Sequence, residues 1–463
     1  MLIHPDRLFP SEPKTREVAR TLYESVRGLP IISPHGHTKA GWFAQNAPFP
    51  DPAALIVQPD HYICRMLYSQ GISLEDLEIG TRETRNPRKV WSIFAEHYYL
   101  FRGTPTRIWL DQTFEEVFGL GDPLAKETAD VYFDAISEKL QTSEFLPRSL
   151  FDRFRIEVLA TTDSPLDSLE HHQAIRDSNW KRRVVPTFRP DPVVDPEHCR
   201  FLENVEVLGE KSGEDVSSWS GYLSAMRSTR KHFQDLGCTA TDHGHPTAVT
   251  ADLPQTEAAS LYDRVRSGRA DASQRELFRA QMLTEMARMS LDDGMVMQIH
   301  PGSARNHNPD LYERYGPDVG ADIPTPTNYV EGLRPLLNRF GNEQNLTVIL
   351  FTLDDSTYSR ELAPLAGHYP CLRLGPPWWF HDSPEGMMRF RRNVTETAGF
   401  YNTVGFNDDT RAFLSIPARH DMARRMDAAY LAELVVKHQL REDEALQLAR
   451  ELAYSLAKEA YRL

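Results

Sequence analysis

His35-Gly36-His37 follows the short apolar run Leu29-Pro30-Ile31-Ile32 after only Ser33 and Pro34. Residues i and i+2 of a strand point to one face, so two imidazoles at this spacing can converge on one divalent metal ion. Further short apolar runs end in comparable chemistry. Asp163 follows the second, Arg189 the third, and Asp242 with His243 the fourth. His300 closes the fifth and Arg305 lies just beyond it. Trp378 and Trp379 follow the seventh, and Asp409 with Arg411 the eighth. Charged side chains are rarely buried unless paired or bound to an ion, so their recurrence at run after run is not explained by packing alone.

These runs, at 29–34, 156–162, 183–188, 238–242, 295–300, 346–353, 369–375 and 401–406, read as strands. Helical patterns precede most of them, as in QRELFRAQMLTEMARM before the fifth. Eight alternating units predict an α/β fold, a (β/α)8 TIM-like barrel whose active site lies at the C-terminal ends of the strands. The first connection is too long for one unit. Residues 39–154 are expected to form a large, mainly helical insertion, and 191–237 a second insertion. Both read as decorations on a single elaborated barrel domain spanning 1–463. Additional C-terminal helices in 421–463 are expected to close the outer layer.

The chain has 463 residues, 40% hydrophobic and 25% charged, which suits a soluble globular protein. A net charge of −14 argues against nucleic acid or an anionic membrane as partner. Four scattered cysteines without a Cys-x-x-Cys exclude a disulfide framework. The start carries no signal-peptide pattern, and no run approaches the roughly 18 apolar residues of a span, so cytoplasmic localisation is expected.

His35, His37 and Asp409 read as ligands of one divalent metal ion, zinc or manganese, with His300 either a further ligand or a hydrogen-bonded histidine near the mouth. A binuclear centre is disfavoured: the fourth run ends without a bridging Lys and the sixth without His. Arg189, Arg305 and Arg411 come from separate loops yet could face one mouth, where guanidinium groups would hold an acidic substrate; each alone would read as a surface ion-pair partner. Trp378 offers a flat wall for a sugar or simple loop packing.

The ordered segments PIISPHGHT, DHYICRMLYSQGI, TTDSPLDSLEHH, PTFRPD, TDHG, MQIHPGSARNHN, WWFHDSPEGM and DDTRAFLSIPARHDMARR resemble the uronate isomerase family of the amidohydrolase superfamily through most of the chain. The resemblance implies interconversion of an aldohexuronate, such as D-glucuronate or D-galacturonate, with its 2-keto isomer. It implies His35, His37 and Asp409 at the metal, and His300 as the fifth-strand histidine. It further implies Arg189, Arg305, Arg411 and Trp378 at the substrate, Asp242 as an active-site acid, and a homo-oligomer. It adds His61 and Tyr62, which no spacing would select. Tyr62, as a deprotonated or hydrogen-bonded phenol, is the expected group for carbon proton transfer, with Asp409 moving hydroxyl protons. The sequence departs from the family at Ser33-Pro34, where an acidic residue is usual, and at Gly36, where a larger one is common. A mononuclear metal hydrolase and a non-catalytic sugar-acid binding protein are the alternatives on the same barrel.

Overall fold

β-branched and leucine-rich runs bounded by Pro, Gly and Asp extend into short strands, parallel in the two main sheets and antiparallel in one small pair. The computed structural model describes residues 2–80 and 85–463. β1 (Ile31–Ser33), β2 (Ile156–Ala160) and β3 (Arg183–Val185) form one sheet in that order. β4 (Ala240–His243), β5 (Val296–Ile299), β8 (Val348–Leu350) and β9 (Leu372–Leu374) form a second. Between β5 and β8, β6 (Ser303–Ala304) and β7 (Ile323–Pro324) pair antiparallel.

Phe188 joins the two sheets: its N–H donates to the carbonyl of Ala240 and its carbonyl accepts from the N–H of Asp242. Beyond β9, Thr403 makes a single parallel bridge to Leu374. The eighth expected strand is therefore not a strand. Gly405 has a φ of 72°, and a Cβ there would come within 2.8 Å of the Leu452 carbonyl oxygen, so the extended run breaks after Val404. At the exits of the first and eighth runs, the His37 N–H donates to the Thr410 carbonyl at 3.0 Å.

The helices between β1 and β2 pack Phe43, Trp91, Phe94, Phe114 and Tyr132 into one apolar cluster with Ile31, Ile156 and Val184. The sheet and this helical region thus share one core. The long helix Ile416–Val436 buries Ala428, Leu431 and Ala432 against Ala19 and Leu22 of the helix Pro13–Val26.

The last turns do not follow them onto the outer layer, as the sequence suggested. Ala457 packs on Ile32, Val158 and Val185, and Tyr461 on Ala240, Val296, Ile349 and Val404. The Tyr461 hydroxyl donates to Gln298 Oε1 at 2.9 Å and accepts from Asn407 Nδ2 at 3.2 Å. These residues close the strand layer on the side away from the cavity. Among the described residues no helix is long and apolar enough to cross a membrane.

Candidate active site

β1 ends at Ser33, and the two histidines beyond it meet edge to face with ring centroids 5.4 Å apart. Asp409 arrives from the opposite end of the chain with a φ of 37°, a conformation a non-glycine residue adopts only when its surroundings impose it. Its Oδ1 lies 3.4 Å from His35 Nε2 and 3.2 Å from His37 Nε2. Burial opposes its ionisation, but His35 and His37 hold the Asp409 carboxyl far below the usual carboxylate range.

Two imidazoles and one carboxylate whose ligand atoms all lie within 4.8 Å of one another fit a divalent ion. The neighbouring donors fit as well. His300 stacks on His35 at 4.9 Å, and its Nδ1 lies 2.6 Å from Asp242 Oδ1. That pairing leaves His300 Nε2 buried without a hydrogen-bond partner, as is His35 Nδ1. A buried polar atom left in this way ordinarily has a ligand or water to satisfy it. Phe351 and Trp378 fix the His300 ring, at 3.9 Å stacked and 4.6 Å edge-on.

Arg189 follows Phe188 and is held twice, by Asp191 Oδ2 at 2.8 Å from Nε and by Asp242 Oδ2 at 3.0 Å from Nη1. Arg189 and His300 together hold the fully buried Asp242 ionised, well below its ordinary value, against the desolvation that opposes it. This junction needs Gly244. A Cβ there would lie 2.2 Å from Arg189 Nη2 and 2.7 Å from Asp191 Oδ2, and the Gly244 N–H donates to Asp191 Oδ1 at 3.1 Å. Arg305, on the excursion between β6 and β7, has Nη1 3.3 Å from Asp322 Oδ2. Arg411 has Nη2 3.0 Å from Asp318 Oδ2. All three arginines line one cavity of about 710 Å³ together with His37, Asp409 and Trp378.

The inserted region contributes the wall opposite. Asp60 caps the helix His61–Ser69 by accepting from the N–H of Tyr62 and Ile63, which aims the first turn at the cavity. His61 stacks on Tyr62 at 4.8 Å and meets Trp379 edge-on at 5.1 Å. Burial pushes the His61 imidazole down to about 3, so it is neutral. The Tyr62 hydroxyl donates to Asp382 Oδ1 at 2.8 Å, and Arg419 Nη1 donates to Asp382 Oδ2 at 2.9 Å. Burial, and then the Asp382 charge, push the phenol well above its ordinary 10. Tyr62 therefore rests as the hydrogen-bonded phenol.

Residues 13–461 match the family model described as glucuronate isomerase. A uronate isomerase of Rhizorhabdus wittichii is 65% identical over 461 residues, covering 100% of this chain and 98% of its own length. The crystal structure of glucuronate isomerase from Caulobacter crescentus is 59% identical, with a TM-score of 0.98 over 99% of this chain and 97% of that one. The chain belongs to the uronate isomerase family. Across wider divergence the fold persists: uronate isomerase from Thermotoga maritima, 29% identical, superposes with a TM-score of 0.93 over the full length of both chains.

In this uronate isomerase, every residue expected at the site from the sequence lines the cavity or touches a residue that does. Asp382 and Arg419 were not foreseen. Both lie inside segments that carried the family resemblance, but nothing in WWFHDSPEGM or SIPARHDMARR distinguishes the residue that grips Tyr62. Among the departures, Gly36 is not demanded by packing, because a Cβ there would meet neighbours only at 3.5 Å or more.

Proposed function

We propose that the chain isomerises an aldohexuronate, D-glucuronate or D-galacturonate, to its 2-keto form, D-fructuronate or D-tagaturonate, through a cis-enediol. The observation that carries this reading is the convergence of Arg189, Arg305 and Arg411 on the cavity that holds His37 and Asp409. A hydrolase of a neutral bond has no use for three guanidinium groups beside its metal site, whereas a sugar with a C6 carboxylate does. We read the chain as one elaborated domain, its parallel runs closing into a (β/α)8 barrel with the cavity at their C-terminal ends.

His35, His37 and Asp409, with His300 as a further ligand, would hold one zinc or manganese ion. Such an ion supplies polarisation of the sugar carbonyl and stabilisation of oxyanion charge. The protein supplies the rest. The arginines orient the substrate by its carboxylate, and Trp378 gives its ring a flat wall. Asp409, ionised, takes and returns the proton that passes between O1 and O2. Asp242 keeps His300 in one orientation through Nδ1, which leaves Nε2 free to take a ligand.

The proton between C2 and C1 falls to Tyr62. It enters as a phenol whose own proton acceptor, Asp382, already sits 2.8 Å away and is charge-balanced by Arg419. Giving up that proton against the raised pKa is the costly part of the cycle. A positioned acid or base contributes about 10²–10⁴-fold, so no single residue accounts for the whole rate.

Incubating the metal-loaded enzyme with D-glucuronate in D₂O and following the C2 proton by NMR tests this reading. Loss of the C2 proton signal as the ketose appears supports it. Binding without exchange would mean a sugar-acid sensor, and cleavage of an ester or amide with no exchange would mean a hydrolase.

A further inference from the structure

The cavity already contains a carboxylate supplied by the chain itself. The excursion between β6 and β7 returns through Gly316, Asp318 and Gly320, with φ values of 78°, 67° and 87°. Asp is among the few residues with a side chain that tolerate this left-handed region, and glycine adopts it freely. The turn brings Asp318 to the cavity wall, where its Oδ2 lies 3.0 Å from Arg411 Nη2. Gly320 presses the loop onto the helix carrying His61 and Tyr62. A Cβ there would come within 2.8 Å of the His61 carbonyl oxygen.

This pair differs from the others around it. Asp242, which holds Arg189, is fully buried, and Asp322, which holds Arg305, is 4% exposed. Asp318 and Arg411 keep 40% and 36% of their side chains in solvent. Both the Arg411 and Arg305 charges stabilise the Asp318 carboxylate, and it in turn acts on Arg189. One part-exposed carboxylate on the cavity wall is therefore paired with Arg411 and within electrostatic reach of the other two arginines.

We propose that Asp318 is an internal surrogate for the substrate's carboxylate: it occupies Arg411 in the free enzyme and is displaced when a uronate enters. The proposal rests on the uronate reading above and deepens it, by naming a residue that tunes affinity at the carboxylate end of the site. A ligand bearing a carboxylate replaces one ion pair with another at Arg411. A neutral sugar has no group to take the surrogate's place and leaves the pair closed. The surrogate also holds the Arg411 guanidinium in the cavity before substrate arrives. Its cost is affinity, because the apparent dissociation constant is the intrinsic one divided by the fraction of time the arginine is free.

The experiment compares wild type and Asp318→Asn as metal-loaded enzymes by calorimetry. L-Gulonate serves as a carboxylate probe that has no carbonyl to isomerise, and D-glucitol as its neutral counterpart. Asp318→Asn should bind L-gulonate about two- to tenfold more tightly, as expected of a pair closed for roughly half to nine-tenths of the time. D-Glucitol binding should not change. KM for D-glucuronate should fall by the same factor at constant kcat.

In an Arg411→Met background, Asp318→Asn should no longer tighten L-gulonate binding. Tightening that persists there would reveal a general charge effect and overturn the surrogate. Unchanged or weaker L-gulonate binding and an unchanged KM in Asp318→Asn would overturn it equally, and Asp318→Ser repeats the comparison should the Asn variant unfold at lower temperature than wild type. Absence of D-glucuronate turnover in the wild type would overturn the uronate reading instead, a result distinct from turnover with unaltered affinity in the variant.

Discussion

His35 and Asp242, at the floor of the cavity, are 1% and 0% exposed, whereas Arg305, Arg411 and Asp318 at its mouth keep roughly a third or more of their side chains in solvent. The floor stands at strand exits and is interlocked: His300 is fixed by Asp242, Phe351 and Trp378, and Asp242 by Arg189. The mouth is built from the β6–β7 excursion, the inserted helix and the loop after Asp409; the Asp318–Arg411 pair ties the excursion to that loop, and Gly320 packs it against the helix. The floor is arranged for chemistry, where displacement of a group by an ångström is costly. The mouth is arranged for selection, where a pair must break and re-form on each cycle.

The largest effect should come from the floor. Asp409→Asn keeps the shape and removes both the charge and the proton-accepting capacity. kcat on D-glucuronate should fall by at least about 10²-fold, with L-gulonate affinity far less affected. A near-wild-type kcat would mean that the floor's carboxylate does no chemistry. At the mouth, Arg411→Met should lower kcat/KM on D-glucuronate by about 10- to 150-fold, the value of one charge-assisted bond. Any activity on D-glucose should suffer much less, and equal proportional losses on the two sugars would assign Arg411 no part in recognising the carboxylate.

Gly244→Ala tests the joint between the two. Its Cβ would overlap Arg189 Nη2 and Asp191 Oδ2, so the arginine must move. Overpacking of this kind typically costs about 1–3 kcal/mol, read as a lower urea midpoint together with a raised KM. An unaltered KM would detach Arg189 from substrate binding.

Turnover should change least at Asp163, beside the floor, where the readout is stability. Burial pushes its carboxyl from an ordinary 3.8 up to about 7. A raised folded-state value means that the native protein holds a proton the unfolded chain has lost. Its contribution is therefore fully present below about pH 4 and fades as pH rises through 7. The displacement is on the order of 4 kcal/mol when complete. Asp163→Asn should flatten this decline, so that its urea midpoint relative to wild type improves from pH 5 to pH 8. An unchanged difference between the two proteins at those pH values would mean that Asp163 is ionised in the native state.

The same contrast explains what the sequence disclosed. Floor residues stand at the end of an apolar run or within three positions beyond it, so strand exits locate them; His35, His37, Asp242 and His300 were legible for that reason. The metal site's third member needed only the eighth run to be recognised, although that run proved too irregular to form a strand because of Gly405. Mouth residues obey no such period. His61 and Tyr62 became visible only through resemblance to a family, since the Asp60 cap that aims them resembles any helix start. The β6–β7 pairing is two residues on each strand, too short for alternation to register, and it carries both Arg305 and the loop of Asp318. Asp382 and Arg419 were hidden because the selection they satisfy, a buried phenol's need for an acceptor and a counter-charge, exists only in three dimensions.

The His37–Thr410 hydrogen bond and the meeting of Asp409 with the two histidines also set an order of assembly. A ribosome adds roughly 5–20 residues per second, so tens of seconds pass between the emergence of the histidine pair and that of its carboxylate. Throughout that interval β1 has β2 on one side and an open edge on the other, the kind of edge that invites pairing with a neighbouring chain. The catalytic centre is thus completed only late in synthesis, and a chain caught before that point lacks both its metal-site carboxylate and the cover on its first strand's edge.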